Sequence, residues 1–180
     1  MLSFFAALSL ATGPAPECGL AHIEACTATN ELVVARDFEP ALRRFIGPGR
    51  ASWFEPDGDM ADQVLMTLHG PGFDSVRLDD GLIQFGACMA HICPERGAVF
   101  VTPQGRILLV TMLFHNCHAK ACNGDERYTL AVFLRENSPA LLTRAREWAA
   151  GEIEEDGESM PVLNGPEDVV AETLVYVATE

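Results

Sequence analysis

Residues 75–115 read SVRLDDGLIQFGACMAHICPERGAVFVTPQGRILLVTMLFH. Two strand-like segments, Ser75–Leu78 and Leu82–Phe85, flank Asp79-Asp80-Gly81, an Asp-Gly hairpin turn signal. Two more, Ala98–Thr102 and Arg106–Phe114, flank Pro103-Gln104-Gly105, a second turn signal. Ile107–Leu113 is almost continuously apolar, the pattern of a central strand buried on both faces. Tyr128–Leu134 reads as a fifth strand. The expected fold class is α+β, with a five-stranded antiparallel meander sheet and helices packed against it.

The helices lie on either side of this stretch. Asp37–Ile46 reads as a short helix stopped by Gly47-Pro48-Gly49. Asp59–His69 fits helix or strand equally well. Ser138 followed by Pro139 marks a helix start. Its apolar face is Leu141, Leu142, Ala145 and Trp148, and Gly151 is expected to end it. Glu152–Glu158 reads as a solvated acidic loop, and Val169–Val177 as a sixth strand or a helix. Trp53 and Phe54 are expected under the sheet, and Trp148 in the core. With no repeat and no interdomain linker, residues 12–180 read as one domain, with an extension after about 151.

The chain has 180 residues, 48% of them hydrophobic and 21% charged, enough for one domain with a real core. Its formal net charge is −14, which argues against nucleic acid and anionic membrane surfaces as partners. It favours cationic partners. Residues 2–11, LSFFAALSLA, are too short an apolar run to span a bilayer. They resemble the apolar region of a secretory signal, with Ser9-Leu10-Ala11 as the cleavage site, so residues 1–11 are expected to be a signal segment. No basic residue precedes Arg36, so the usual positive start of such a signal is missing.

Six cysteines fall as three close pairs: Cys18 and Cys26, Cys88 and Cys93, Cys117 and Cys122. Fifteen pairings are possible, and local pairing is the simplest. Disulfides imply an oxidising compartment, so a periplasmic or secreted protein is expected. The segment Cys88-Met89-Ala90-His91-Ile92-Cys93 brackets one histidine between two strands. A disulfide there would place His91 at the tip of a small rigid loop, flanked by the uncharged Met89, Ala90 and Ile92. An imidazole so placed donates or accepts hydrogen bonds near neutral pH. In a meander, the loop after His115 returns to the same end of the sheet, so His115 and His118 are expected to share that edge. Together with Cys117 and Cys122 these residues offer enough soft ligands for zinc. Both cysteine pairs, however, are spaced C-x4-C rather than in zinc knuckles, so no metal and no cofactor is expected. A thioredoxin-like C-x-x-C, a nucleophile elbow, a Walker motif and HExxH are all missing from the sequence. The chain therefore reads as a binding protein rather than an enzyme. The alternative is a Cys/His-rich envelope protein of other function, with metal binding the chemistry it would have.

The six-residue segment and its surroundings resemble the Ivy family, exported inhibitors of vertebrate c-type lysozyme. The similarity runs from about Asp37 to Ala150. It includes the Trp53-Phe54 segment, the Phe85-Gly86-Ala87 approach, the Cys88–Cys93 loop and the Ala98–Phe114 hairpin. The family loop carries Lys, Pro and Asp or Asn where this chain has Met89, Ala90 and Ile92. The resemblance implies an Ivy-like domain whose disulfide-closed loop enters a glycosidase cleft, with His91 meeting the catalytic carboxylates. It also implies a c-type lysozyme or related glycosidase as partner, and a homodimer.

Overall fold

The computed structural model describes residues 16–115, 127–156 and 170–177. The signal segment 1–11, Cys117, Cys122 and His118 lie outside these residues. A 3-10 helix, Leu20–Ala25, leads into three α-helices: α1 (Thr29–Val33), α2 (Phe38–Ile46) and α3 (Met60–Leu68). Two short strands, β1 (Arg50–Ala51) and β2 (Gly58–Asp59), pair between α2 and α3. The main sheet contains β3 (Val76–Arg77), β4 (Ile83–Met89), β5 (Ile92–Val101), β6 (Ile107–His115), β7 (Tyr128–Leu134) and β8 (Val170–Val177). The long helix α4 (Pro139–Asp156) lies between β7 and β8 in the chain.

The main sheet has six strands in sequential order. Neighbours are antiparallel from β3 to β7, but β8 pairs parallel to β7. The expected five-stranded antiparallel meander is thus corrected to a mixed six-stranded sheet, still within an α+β fold. The reason is the helix. A tight turn reverses a strand, whereas a crossover through an 18-residue helix returns the chain to its starting end and makes the next strand parallel.

Both turns of the opening stretch form as expected. Leu78 N–H donates to Leu82 O at 2.8 Å, and Thr102 N–H donates to Arg106 O at 2.9 Å. Gly81 and Gly105 take φ of 84° and 77°, a region that glycine enters without steric cost. The ambiguous Asp59–His69 segment is helix α3, because the Asp59 carboxylate caps it by accepting from Ala61 and Asp62 N–H.

The sheet is buried on both faces. Val99, Val110, Met112, Phe114 and Phe133 pack with Phe38, Leu42, Val64 and Leu68 of the first three helices. Ala98, Phe100, Leu109, Leu130 and Val132 pack with Ala145 and Trp148 of α4. Alternate residues of one strand therefore enter different cores, which explains the unbroken apolar runs in β6 and β7. Trp53 sits under the sheet, with ring centroids 5.9 Å from both Phe114 and Phe133. Tyr176 of β8 stacks on Phe133 at 4.9 Å, which ties the last strand into this core.

Gly151 does not end α4, which continues to Asp156. Its φ is not positive, so it takes no left-handed cap. Glu152, expected in a solvated loop, is instead buried on the sheet side of this helix.

Candidate functional site

At one end of the sheet, β4 and β5 meet in the hairpin that carries the cysteine pair. Met89 faces Ile92 across a turn whose two central residues are Ala90 and His91. One step back, Cys88 faces Arg96. Cys93, Pro94 and Glu95 therefore bulge from β5 with no opposite residues on β4. Pro94, which has no N–H to offer a ladder, suits such a bulge. Cys88 and Cys93 are joined by a disulfide, with Cα atoms 4.7 Å apart. The expected Cys18–Cys26 disulfide also forms, again with Cα atoms 4.7 Å apart. Among the described residues no cysteine is free.

His91 has φ 67°. Asp57 is the other non-glycine residue at positive φ among those described. An L-residue in this region costs about 1 kcal/mol relative to glycine. Ala90, His91 and Ile92 are exposed, Ile92 by 47%, and Met89 is half-buried. The tip is thus an uncharged surface around one imidazole. Among the described residues the structure gives that ring no hydrogen-bond or ion-pair partner.

The base of the hairpin is held from three sides. Gly72 bridges to Ala87, Cys88 N–H donates to Pro71 O at 3.2 Å, and Phe73 N–H donates to Gly86 O at 2.8 Å. Gly70 lies so close that a Cβ there would sit 2.0 Å from Cys88 O, so only glycine permits this approach. On the second side, Arg96 Nε donates to Cys93 O at 3.1 Å, while its Nη1 meets Glu152 Oε2 at 2.5 Å. The side chains of this pair are 9% and 10% exposed. Arg96 thereby ties the bulged cysteine to α4. On the third side, Glu95 reaches from the bulge to the end of β6. It accepts from His115 N–H at 2.9 Å and faces His115 Nδ1 at 3.0 Å. The His115 ring lies on Tyr128, centroids 4.2 Å apart.

The structure therefore brings Met89, Ala90, His91 and Ile92 together at the tip. It places His115 at the same end of the sheet, but with its ring turned onto Glu95 and Tyr128 and only 16% of the side chain exposed. The bracing residues Glu95, Arg96 and Glu152 escaped sequence reasoning. A Pro-Glu-Arg run beside a cysteine was a usable signal of a bulge, but Glu152 carried none. His22 and His69 are exposed on the 3-10 helix and at the end of α3, respectively.

As for metal ligands, the sulfurs of Cys88 and Cys93 are bonded to each other. Among the described residues no group of three or more His, Cys, Asp or Glu side chains is placed to hold a metal ion. No helix among those residues is long and apolar enough to cross a membrane. The two disulfides are consistent with an oxidising compartment. Comparison of the chain with protein-family models, curated proteins and solved structures finds no match.

Proposed function

We propose that the chain is an exported, lysozyme-inhibitor-like binding protein of the Ivy type. It would insert the Cys88–Cys93 hairpin into a glycosidase cleft. The observation that carries this reading is the tip: an exposed histidine at φ 67°, closed by a disulfide and braced at its base. Strain held at an exposed position with no structural contact points to function. Preorganisation lowers the entropy lost on docking. In the bound state His91 would donate a hydrogen bond to the target's catalytic carboxylates. Met89 and Ile92 would add apolar contact with the cleft walls. The acidic body, at −14, would attract a basic lysozyme and raise the encounter rate. The proposal includes export to the periplasm or beyond, and assembly as a homodimer.

The test is inhibition of a c-type lysozyme by the oxidised mature protein, with His91→Ala alongside and sedimentation used to read the oligomeric state. Inhibition that His91→Ala removes supports the reading. No inhibition at micromolar protein overturns lysozyme as the target, and inhibition that survives His91→Ala overturns the histidine mechanism.

A further inference from the structure

The chain holds 26 acidic and 12 basic residues, so carboxylates outnumber basic side chains about two to one. Arg43, Arg50, Arg77, Arg96 and Arg144 each lie within ion-pair distance of at least one Asp or Glu. Arg36, Arg44, Arg106, Arg135 and Arg146 do not, among the described residues, and three of these five, Arg44, Arg106 and Arg135, line one pocket. We propose that this pocket is a second site, separate from the hairpin, built to take a phosphate monoester with an apolar body.

The fold assembles it from three distant segments. Arg44 comes from the last turn of α2, Arg106 follows the Gly105 turn between β5 and β6, and Arg135 directly follows β7. The register of Val101 with Ile107, and of Leu109 with Leu134, brings the second and third segments to one end of the sheet. That end is opposite the Cys88–Cys93 hairpin. The cavity measures about 580 Å³, the size of a small-molecule site. Phe45 and Leu108 contribute apolar wall, and the Arg135 guanidinium lies over the Phe45 ring at 5.5 Å. Glu136 is the one carboxylate in the lining.

Three exposed guanidinium groups around one pocket give it a local excess of positive charge, and an anion seated between them would relieve their mutual repulsion. Guanidinium forks match the oxygens of a phosphate, and the local positive charge exceeds what a single carboxylate would neutralise. A phosphate monoester brings nearly two negative charges and three terminal oxygens. The apolar wall leaves room for the organic part of the ester. At long range the net charge of the protein opposes an approaching anion. At contact, the three nearby cations dominate, because solvent and salt screen the distant carboxylates.

The experiment is calorimetric titration of the full oxidised chain with phenyl phosphate, inorganic phosphate and phenol. Saturable binding of phenyl phosphate is expected, weaker binding of inorganic phosphate, and none of phenol. Each arginine removed is expected to weaken phenyl phosphate binding about threefold to tenfold. The Arg44→Gln, Arg106→Gln double variant is therefore expected to lose at least about tenfold. A control pair, Arg36→Gln with Arg146→Gln, makes the same change in net charge away from the pocket and is expected to bind as the parent does. Absence of saturable phenyl phosphate binding up to about 10 mM overturns the site. So does equal loss in the two double variants, which would make the attraction a property of net charge. Melting temperatures of both variants, unchanged because the four arginines are exposed, separate lost binding from lost folding.

Discussion

Substituting His91 separates what the hairpin costs from what it does. The residue sits at φ 67°, exposed and without a side-chain partner among the described residues. His91→Gly removes about 1 kcal/mol of left-handed strain from the folded state. It also adds freedom to the unfolded chain, worth about 0.5–1 kcal/mol in the other direction. The two effects nearly cancel, leaving a net change within about 0.5 kcal/mol. For a chain of 180 residues that is a melting shift of about 2 °C or less. His91→Ala keeps the strain and is expected to match the parent. His91→Val places a β-branched side chain at positive φ and is expected to lose about 2 kcal/mol. Denaturant unfolding of the oxidised protein reads all three, and lysozyme inhibition is measured on the same samples. The expected order of stability is Gly, His and Ala together, then Val, with inhibition lost in every variant. A loss above about 2 kcal/mol in His91→Gly would refute the reasoning, because it would require the imidazole to carry packing or hydrogen bonds.

Removing one member of the buried Arg96–Glu152 pair is expected to cost about 3 kcal/mol or more in urea unfolding. The double change Arg96→Met with Glu152→Leu should recover most of that loss, because no buried charge is left alone. Replacing Cys88 and Cys93 by serine should lower stability by about 2 kcal/mol in the chain-entropy limit. It should weaken target binding further by loosening the tip, and unchanged binding would count against preorganisation. Burial pushes the Tyr176 phenol above its usual range, and the Glu172 carboxylate adds to the effect. A raised folded-state value means the neutral phenol is the form the fold accommodates. The contribution is therefore complete below about pH 10 and fades as pH rises past it. Tyr176→Phe should flatten that alkaline decline, as read by melting temperature against pH.

Much of this protein was legible from local sequence. Turns at Asp79–Gly81 and Pro103–Gly105 involve neighbouring residues and glycines that the backbone requires. The two disulfides seen among the described residues join cysteines eight and five positions apart, so proximity along the chain was enough. The unbroken apolar runs of β6 and β7 announced a sheet covered on both faces. Neighbour relations could not reveal contacts between distant segments. Arg96 meets Glu152 across 56 positions, and Glu95 meets His115 across 20. A glycine at 151 looked like a helix stop because an isolated helix gains nothing by continuing through it. In the folded protein Glu152, one position further on, is buried against Arg96, and that contact draws the helix on. The direction of β8 follows from the crossover through α4, and the cluster of Arg44, Arg106 and Arg135 from the register of three segments. Sequence alone determined the strands from β3 to β7, the tight turns and the histidine loop, because short-range geometry specifies them. Tertiary structure decided the parallel edge, the brace beneath the loop and the basic pocket, because each arises only when remote parts of the chain pack together.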